Sequence, residues 1–276
     1  MEGQRRSQTK IRITVVNDGE AKARPDLVAT EEPLEIRLGF AGTTQRVAVT
    51  MRTPGNDFEL AAGFLFAEGI VQSRDQIATI GYCVDRELTP EQRYNVVTVD
   101  LRSAVSELEA RRFGVTSACG VCGKESLDQI ERRGTARIPN GFTISPETIV
   151  ELPDRLRAAQ GIFESTGGLH AAGLFTGDGE LIALREDVGR HNALDKLIGT
   201  MLLEDKLPLN HYVILVSGRT SFELAQKCAA AGVSVLCSVS APSSLAIEVA
   251  RKFNLTLIGF LRGAHFNIYH GAHRIL

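Results

Sequence analysis

The sequence contains no run of about 18 apolar residues, the length a bilayer-crossing helix needs, so no segment is expected to span a membrane. Its first ten residues are polar and basic without an apolar stretch, which sets aside a secretory signal peptide. An excess of one charge is missing as well. Lysine and arginine total 31 against 33 aspartates and glutamates, a net −2, so no basic field argues for nucleic acid or an anionic lipid surface. Cysteine is scarce and odd in number, five in 276 residues, which argues against a disulfide framework. Neither a Walker loop nor a GxGxxG turn occurs, and no internal repeat or low-complexity tract is evident. These absences point to a cytoplasmic protein whose cysteines are thiols.

What is present is ordinary for a globular chain: 43% hydrophobic and 23% charged residues, enough for a real core in one large or two small domains. Residues 1–28 read as a mobile N-terminal arm carrying one strand at 11–16. Residues 29–115 read as a small α+β unit. There, 34–38 and 47–51 alternate apolar and polar residues, the period of strands. Asn56, with Glu59 at the third helical position, gives a capping-box-like helix start, and that helix ends near Gly69. Strands are expected at 77–84 and 94–101. Small residues and glycines make 116–124 a mobile loop.

Residues 125–276 read as a third, larger α/β unit. A short helix at 125–133 precedes a longer one opened by Ser145-Pro146, a good cap and first-turn pair. A hairpin follows, 170–175 and 180–185 across a Thr-Gly-Asp-Gly turn. Then come helix 191–203, strand 211–216, helix 221–231, strand 233–239, helix 242–253 and strand 255–261. Strands alternating with single helices imply right-handed crossovers and a parallel sheet.

Four polar clusters each follow a strand of this unit: 185–192, 217–221, 240–244 and 260–265. In an open parallel sheet the carboxyl ends of strands share one edge, where ligands bind. Two of the clusters also open helices, whose free N–H groups favour anions. Any one cluster is explained by loops being polar and helices needing caps. Four on one edge, bringing Arg185, Arg190, His191, Ser217, Arg219, Arg262 and His265, point to an anionic ligand the size of a nucleotide.

Cys119-Gly120-Val121-Cys122 has a spacing with three chemical meanings: a redox disulfide, half a zinc site, or a thiolate nucleophile with a neighbour. Cys228 and Cys237 fall in apolar helix and strand positions, and Cys83 on a strand, so none is an evident further zinc ligand. His170 is the best histidine candidate, yet the His-x-Glu and Pro-Cys-x-x-Cys order of zinc deaminases is absent. Zinc is therefore not expected. Lys124 and a helix start beside the pair favour the thiolate form. The pair alone does not say what that thiolate carries.

Several stretches resemble the formate dehydrogenase accessory sulfurtransferases, the FdhD family. They are EEPLEIRL (31–38), RTPGNDFELAAGFLFAEGI (52–70), ACGVCGKESL (118–127), TGGLHAAGLF (166–175), REDVGRHNALDKLIG (185–199), SGRTSFELAQK (217–227), SAPSSLAIEVA (240–250) and GFLRG (259–263). Many relatives carry histidine where this chain has Asn56, so no role is assigned there. The resemblance implies a cytidine deaminase-like layered α/β fold, with a parallel-rich sheet flanked by helices and a smaller N-terminal α+β unit, without deaminase zinc chemistry. It implies that sulfur passes from a cysteine desulfurase, as a persulfide, to the Mo-bis-molybdopterin guanine dinucleotide cofactor before insertion into apo formate dehydrogenase. Cys119 would carry the persulfide with Cys122 as helper or alternate carrier. The family's cofactor-binding stretch corresponds to Phe260, Leu261, Arg262, Gly263, Ala264 and His265. A homodimer is expected, since two copies could present two nucleotide sites to one bis-dinucleotide cofactor. The main rival is a chaperone that holds this cofactor without moving sulfur; a zinc hydrolase and a thiol–disulfide oxidoreductase are the others.

Overall fold

Asp18 and Gly19, with φ of 49° and 84°, form the left-handed pair a two-residue hairpin turn requires. They join β1 (Gln8–Asn17) to β2 (Glu20–Ala29) in ten antiparallel pairs without a bulge. The expected single-stranded arm is thus a hairpin, and its second strand, rich in alanine and charge, lacks the apolar alternation that marks a strand. The computed structural model describes residues 7–83, 89, 92, 94–103 and 134–276. The loop 116–124 and the helix expected at 125–133 lie outside the described residues.

A second turn of the same kind, Ala41-Gly42 at φ 48° and 81°, joins β3 (Glu32–Phe40) to β4 (Thr43–Arg52). With β5 (Ile77–Tyr82) and β6 (Val96–Leu101) they form a four-stranded sheet ordered β4-β3-β6-β5. Helix α1 (Asp57–Ala67) lies against its apolar face. Asn56 takes the cap position but in a left-handed conformation, φ 57°, and its side chain donates to Glu59 Oε1 at 2.9 Å rather than capping the backbone. The capping-box reading therefore gives the boundary correctly and the bond incorrectly.

The larger unit opens with α2 (Pro146–Ala159), whose cap Ser145 accepts from the Thr148 amide at 3.1 Å, and α3 (Gly161–Thr166). Next are β7 (His170–Phe175), β8 (Leu181–Asp187), α4 (Arg190–Leu203), β9 (Val213–Val216), α5 (Phe222–Ala230), β10 (Val235–Ser238), α6 (Ser244–Phe253), β11 (Thr256–Arg262) and β12 (His265–His270). They make a six-stranded sheet ordered β12-β11-β10-β9-β7-β8. Strands β9, β10 and β11 are parallel, while β7, inserted between β8 and β9, and β12 on the far side are antiparallel to their neighbours. The sheet is therefore mixed: the parallel β9, β10 and β11 and the β7–β8 hairpin follow the sequence reading, and the antiparallel β12 is the addition. Strand β12 is missed because its half-exposed residues lack a clear apolar alternation.

Along β9, Ile214 and Val216 face the core under α4, α5 and α6, while Val213 and Leu215 face the core under α2. Such runs, buried on both faces, are what interior parallel strands require. The two units meet where α1 crosses α4. A Cβ on Gly63 would collide with the Asp195 carbonyl, and one on Gly199 with the Glu59 carbonyl, so these glycines set the close approach. No helix among the described residues is long and apolar enough to cross a membrane.

Candidate functional site

Strands β8, β9, β10 and β11 point their carboxyl ends the same way, so the four polar clusters fall along one edge of the six-stranded sheet. Because β7 runs the other way, its first residue joins them: His170 pairs with Asp187. A Cβ on Gly218 would lie 3.4 Å from His170 Nδ1 and 3.6 Å from Arg190 Cδ, so His170, Arg190 and the loop after β9 are in contact. Sequence reading had His170 only as a zinc candidate. Its short hairpin with β8 is the signal that brings it here.

The arginines differ in how fully they are engaged. Arg185 donates to the Leu184 carbonyl at 2.8 Å and lies 3.8 Å from Glu59 Oε1, leaving a buried Nε without a partner. Arg190 likewise has a buried, unpartnered Nε. It is the first residue of α4, with His191 next and no acidic residue in that turn. Cations at a helix N-terminus oppose the dipole by about 0.3–1 kcal/mol. An anion bound there would reverse the sign of that cost. Arg219 and Arg262 are exposed, Arg262 donating through Nε to the Val239 carbonyl at 3.0 Å.

His191 Nε2 sits 2.9 Å from Glu223 Oε2 and 3.2 Å from Ser221 Oγ. The contact with His191 holds the Glu223 carboxyl below its ordinary pKa. Both partners meet the same ring nitrogen, so this is no relay through the imidazole. Ser221 is the cap residue of α5, yet its side chain makes no cap bond. The hydroxyl of neighbouring Thr220 is buried and unpartnered. Ser217 is occupied structurally, its Oγ accepting from the Ala171 amide at 2.9 Å.

The stretch 260–265 forms the rim of the edge, where β11 ends and turns into β12. Phe260 holds a left-handed φ of 55° and exposes its ring, while Gly263 at φ 52° turns the chain into β12. Gly263, Ala264 and His265 are exposed. Leu261 is fully buried in the core, so only its main chain can face a ligand. The local field is positive: burial first, then the charges of Arg190 and His191, keeps His170 below its ordinary pKa.

A separate polar cluster, which the sequence gives no sign of, lies beneath this edge. Lys196 Nζ contacts Asp187 Oδ2 at 2.7 Å and donates to the Thr53 carbonyl at 2.8 Å. Asp187 also accepts from the amides of Thr53 at 3.1 Å and Gly189 at 2.9 Å, and from Asn192 Nδ2 at 3.1 Å. Lys196 and Asp187 are 1% and 0% exposed, so each needs the other. The cluster ties the smaller unit to the turn that starts α4.

Cys119 and Cys122 lie outside the described residues. Of the described cysteines, Cys228 and Cys237 are buried, with thiols pushed well above their ordinary pKa by burial. They are inert core residues. Cys83, one residue past β5, is partly exposed.

The fold is that of an α/β protein whose sheet edge gathers Arg185, Arg190, Arg219 and Arg262. The FdhD/NarQ family model matches residues 29–276, and the chain belongs to that family. It is 52% identical over 272 residues to the sulfur carrier protein FdhD of Streptomyces avermitilis, covering 96% of this chain and 94% of that one. It is 43% identical over 267 residues to the protein of the same name from Sulfurisphaera tokodaii, covering 97% and 98%. A Desulfotalea psychrophila protein, crystallised as a candidate formate dehydrogenase accessory protein, shares the fold with a TM-score of 0.76 at 24% identity, covering 98% of this chain and all of that one.

Proposed function

We propose that this protein is a sulfur carrier acting in formate dehydrogenase maturation, in the cytoplasm, where its thiols stay reduced. The observation that carries the reading is the near full-length likeness to relatives named sulfur carrier protein FdhD. In the first step the Cys119 thiolate attacks the terminal sulfur of a cysteine desulfurase persulfide. A new sulfur–sulfur bond forms, the donor's breaks, and the donor cysteine leaves as a thiolate, so no outside oxidant or reductant is needed. Cys122 serves as helper or alternate carrier.

The cargo that receives the sulfur is the Mo-bis-molybdopterin guanine dinucleotide cofactor, which is then passed to apo formate dehydrogenase. Its phosphates suit the unpartnered N–H of Arg185 and Arg190, the Thr220 hydroxyl and the uncapped start of α5. Phe260 and residues 262–265, exposed at the rim, would contact the nucleotide. Two copies of the chain would offer two such sites.

Intact-mass measurement after incubation with a cysteine desulfurase and cysteine tests the carrier step. The wild-type protein is expected to gain one sulfur, lost on reduction and absent in Cys119→Ala. With an active desulfurase and no gain in the wild type, the reading fails, and the edge would then serve a cofactor-holding chaperone.

A further inference from the structure

At the end of the six-stranded sheet opposite the four polar clusters, three chain segments are tied into one unit. Strand β11 leaves that end and β12 returns to it, Leu257 pairing with His270. The Ile138 amide donates to the Phe253 carbonyl at 2.9 Å. Asn254 Nδ2 donates to the Ile138 carbonyl at 2.8 Å and to Asn140 Oδ1 at 2.9 Å. Arg274 donates to the carbonyls of Asn254 and Pro139, both at 2.9 Å, and to Thr256 Oγ1 at 3.0 Å. His273 Nε2 lies 3.1 Å from Asn140 Oδ1.

This unit gathers charge of one sign. Arg274 is fully buried, while Arg137, Arg251 and His273 are exposed. His270 keeps a buried Nε2 without a partner. Burial first, then the charges of His273, Arg251, Arg274 and Arg137, holds His270 below its ordinary pKa. Among the described residues, none of the three arginines forms an ion pair with a carboxylate. The end of α6 accounts for part of this, since Asn254 closes that helix and a helix C-terminus carries about half a negative elementary charge. Against three guanidinium charges, most of the positive charge is left without a local counter-charge. With the whole chain at net −2, the excess is local.

We infer that this end of the sheet docks an acidic segment of a protein partner, whose carboxylates reach Arg137, Arg251 and His273. Exposed cations on separate segments suit several carboxylates spread along one chain better than a single small anion. The hydrogen bonds beneath hold those segments in place, so little ordering is left for binding to impose. Nucleic acid is disfavoured, because the basic groups are confined to one end of one sheet and form no stripe. Arg262, on the rim of the proposed cofactor edge, follows Leu257 by five positions of β11, about 16 Å at a rise of about 3.3 Å per residue. A segment docked here leaves that edge open.

The inference does not depend on the sulfur-transfer reading and can fail without it. The test is fluorescence anisotropy of a labelled oligoglutamate peptide with the whole chain at low ionic strength. Occupation of the patch by the chain's own carboxylates would then register as no binding. The wild type is expected to bind, more weakly as salt rises. The double variant Arg137→Glu, Arg251→Glu opposes like charges and is expected to lose at least about tenfold in affinity. Both side chains are exposed and unpaired among the described residues, so its Tm is expected to match the wild type. The neutral pair Arg137→Gln, Arg251→Gln is expected to lose less, in the same direction. Lys10→Glu with Arg24→Glu makes the same change of net charge on exposed hairpin residues and is expected to bind as the wild type does. No binding by the wild type, unchanged binding by the Arg137, Arg251 variants, or an equal loss in the hairpin variant overturns the inference. So does tighter binding of a single-stranded oligothymidylate with the same sensitivity to Arg137 and Arg251, which would make the patch a nucleic-acid surface.

Discussion

Helix α4 carries two polar regions that follow opposite rules. At its start, Arg190 and His191 crowd positive charge onto the positive end of the helix dipole, and Arg185 and Arg190 keep buried N–H groups unmatched. One turn on, at the seam with α1, charge is fully compensated: Lys196 with Asp187, and Asp195 with Lys227, whose Nζ lies 2.6 Å and 2.8 Å from its carboxylate oxygens. Burial pushes the Asp195 carboxyl up and Lys227 opposes it, as expected of a pair holding each other charged. A structural polar cluster satisfies itself, whereas the edge proposed to hold the cofactor keeps unpartnered N–H groups.

The sharpest way to break the comparison is to remove one partner on each side. Lys196→Met strands the Asp187 carboxylate in the interior, and a broken buried pair costs about 3–5 kcal/mol. Urea unfolding is expected to show that loss, and a change under about 1 kcal/mol would mean the seam is not held by this pair. Arg190→Ala tests the other side. Removing a cation from a helix start is expected to leave stability unchanged or raise it by about 0.3–1 kcal/mol. Guanine nucleotide affinity, read by calorimetry, is expected to fall by about ten- to 150-fold, the worth of a charge-assisted hydrogen bond of about 1.5–3 kcal/mol. A variant that loses stability but keeps affinity would reassign Arg190 to the fold.

Packing at the seam gives a smaller effect. Gly199→Ala drives a methyl group into the Glu59 carbonyl and must push α1 away from α4. Overpacking of this kind costs about 1–3 kcal/mol, measurable as a lower denaturant midpoint at constant slope. Gly218→Ala, where a methyl group would meet His170 Nδ1 at 3.4 Å, is expected to be milder in stability. Its main effect is expected on nucleotide affinity, because it intrudes on the edge.

These contrasts also explain what could be read from the sequence. Val213–Val216 and Val235–Ser238 are short, mostly apolar runs, and such runs between amphipathic helices read correctly as interior strands. Chain direction then placed Arg185, Arg190, Ser217, Arg219 and Arg262 on one edge. The hairpin β1–β2 escaped notice although Asp18-Gly19 is the strongest short-range hairpin signal. Its second strand buries almost nothing and so has no apolar alternation to find. The seam was illegible for a different reason. Asp195 and Lys196 look like solvated helix residues, and their burial depends on Lys227 and Thr53, far away in sequence, and on Asp187 across the β8–α4 turn. Pairwise long-range compensation leaves no local pattern, whereas strand order and loop position do.

The smallest effect concerns His170, which borders both regions through Arg190 and Asp187. An unfolded histidine titrates near pH 6.5. In the fold, burial and the charges of Arg190 and His191 lower that value, with Asp187 opposing them more weakly. Above about pH 6.5 both states are neutral and His170 makes no difference to stability. As pH falls through that value the unfolded chain takes up a proton that the fold resists, so stability is lost until the folded value is passed. The group is only half-buried, so the loss is modest. His170→Gln should abolish it, and the variant should gain on the wild type as pH falls below about 6.5. A bound phosphate beside His170 would favour the protonated ring, so nucleotide affinity should move the other way and tighten on acidification more in the wild type than in His170→Gln. If stability shows the difference and affinity does not, His170 belongs with the seam beneath it rather than with the edge.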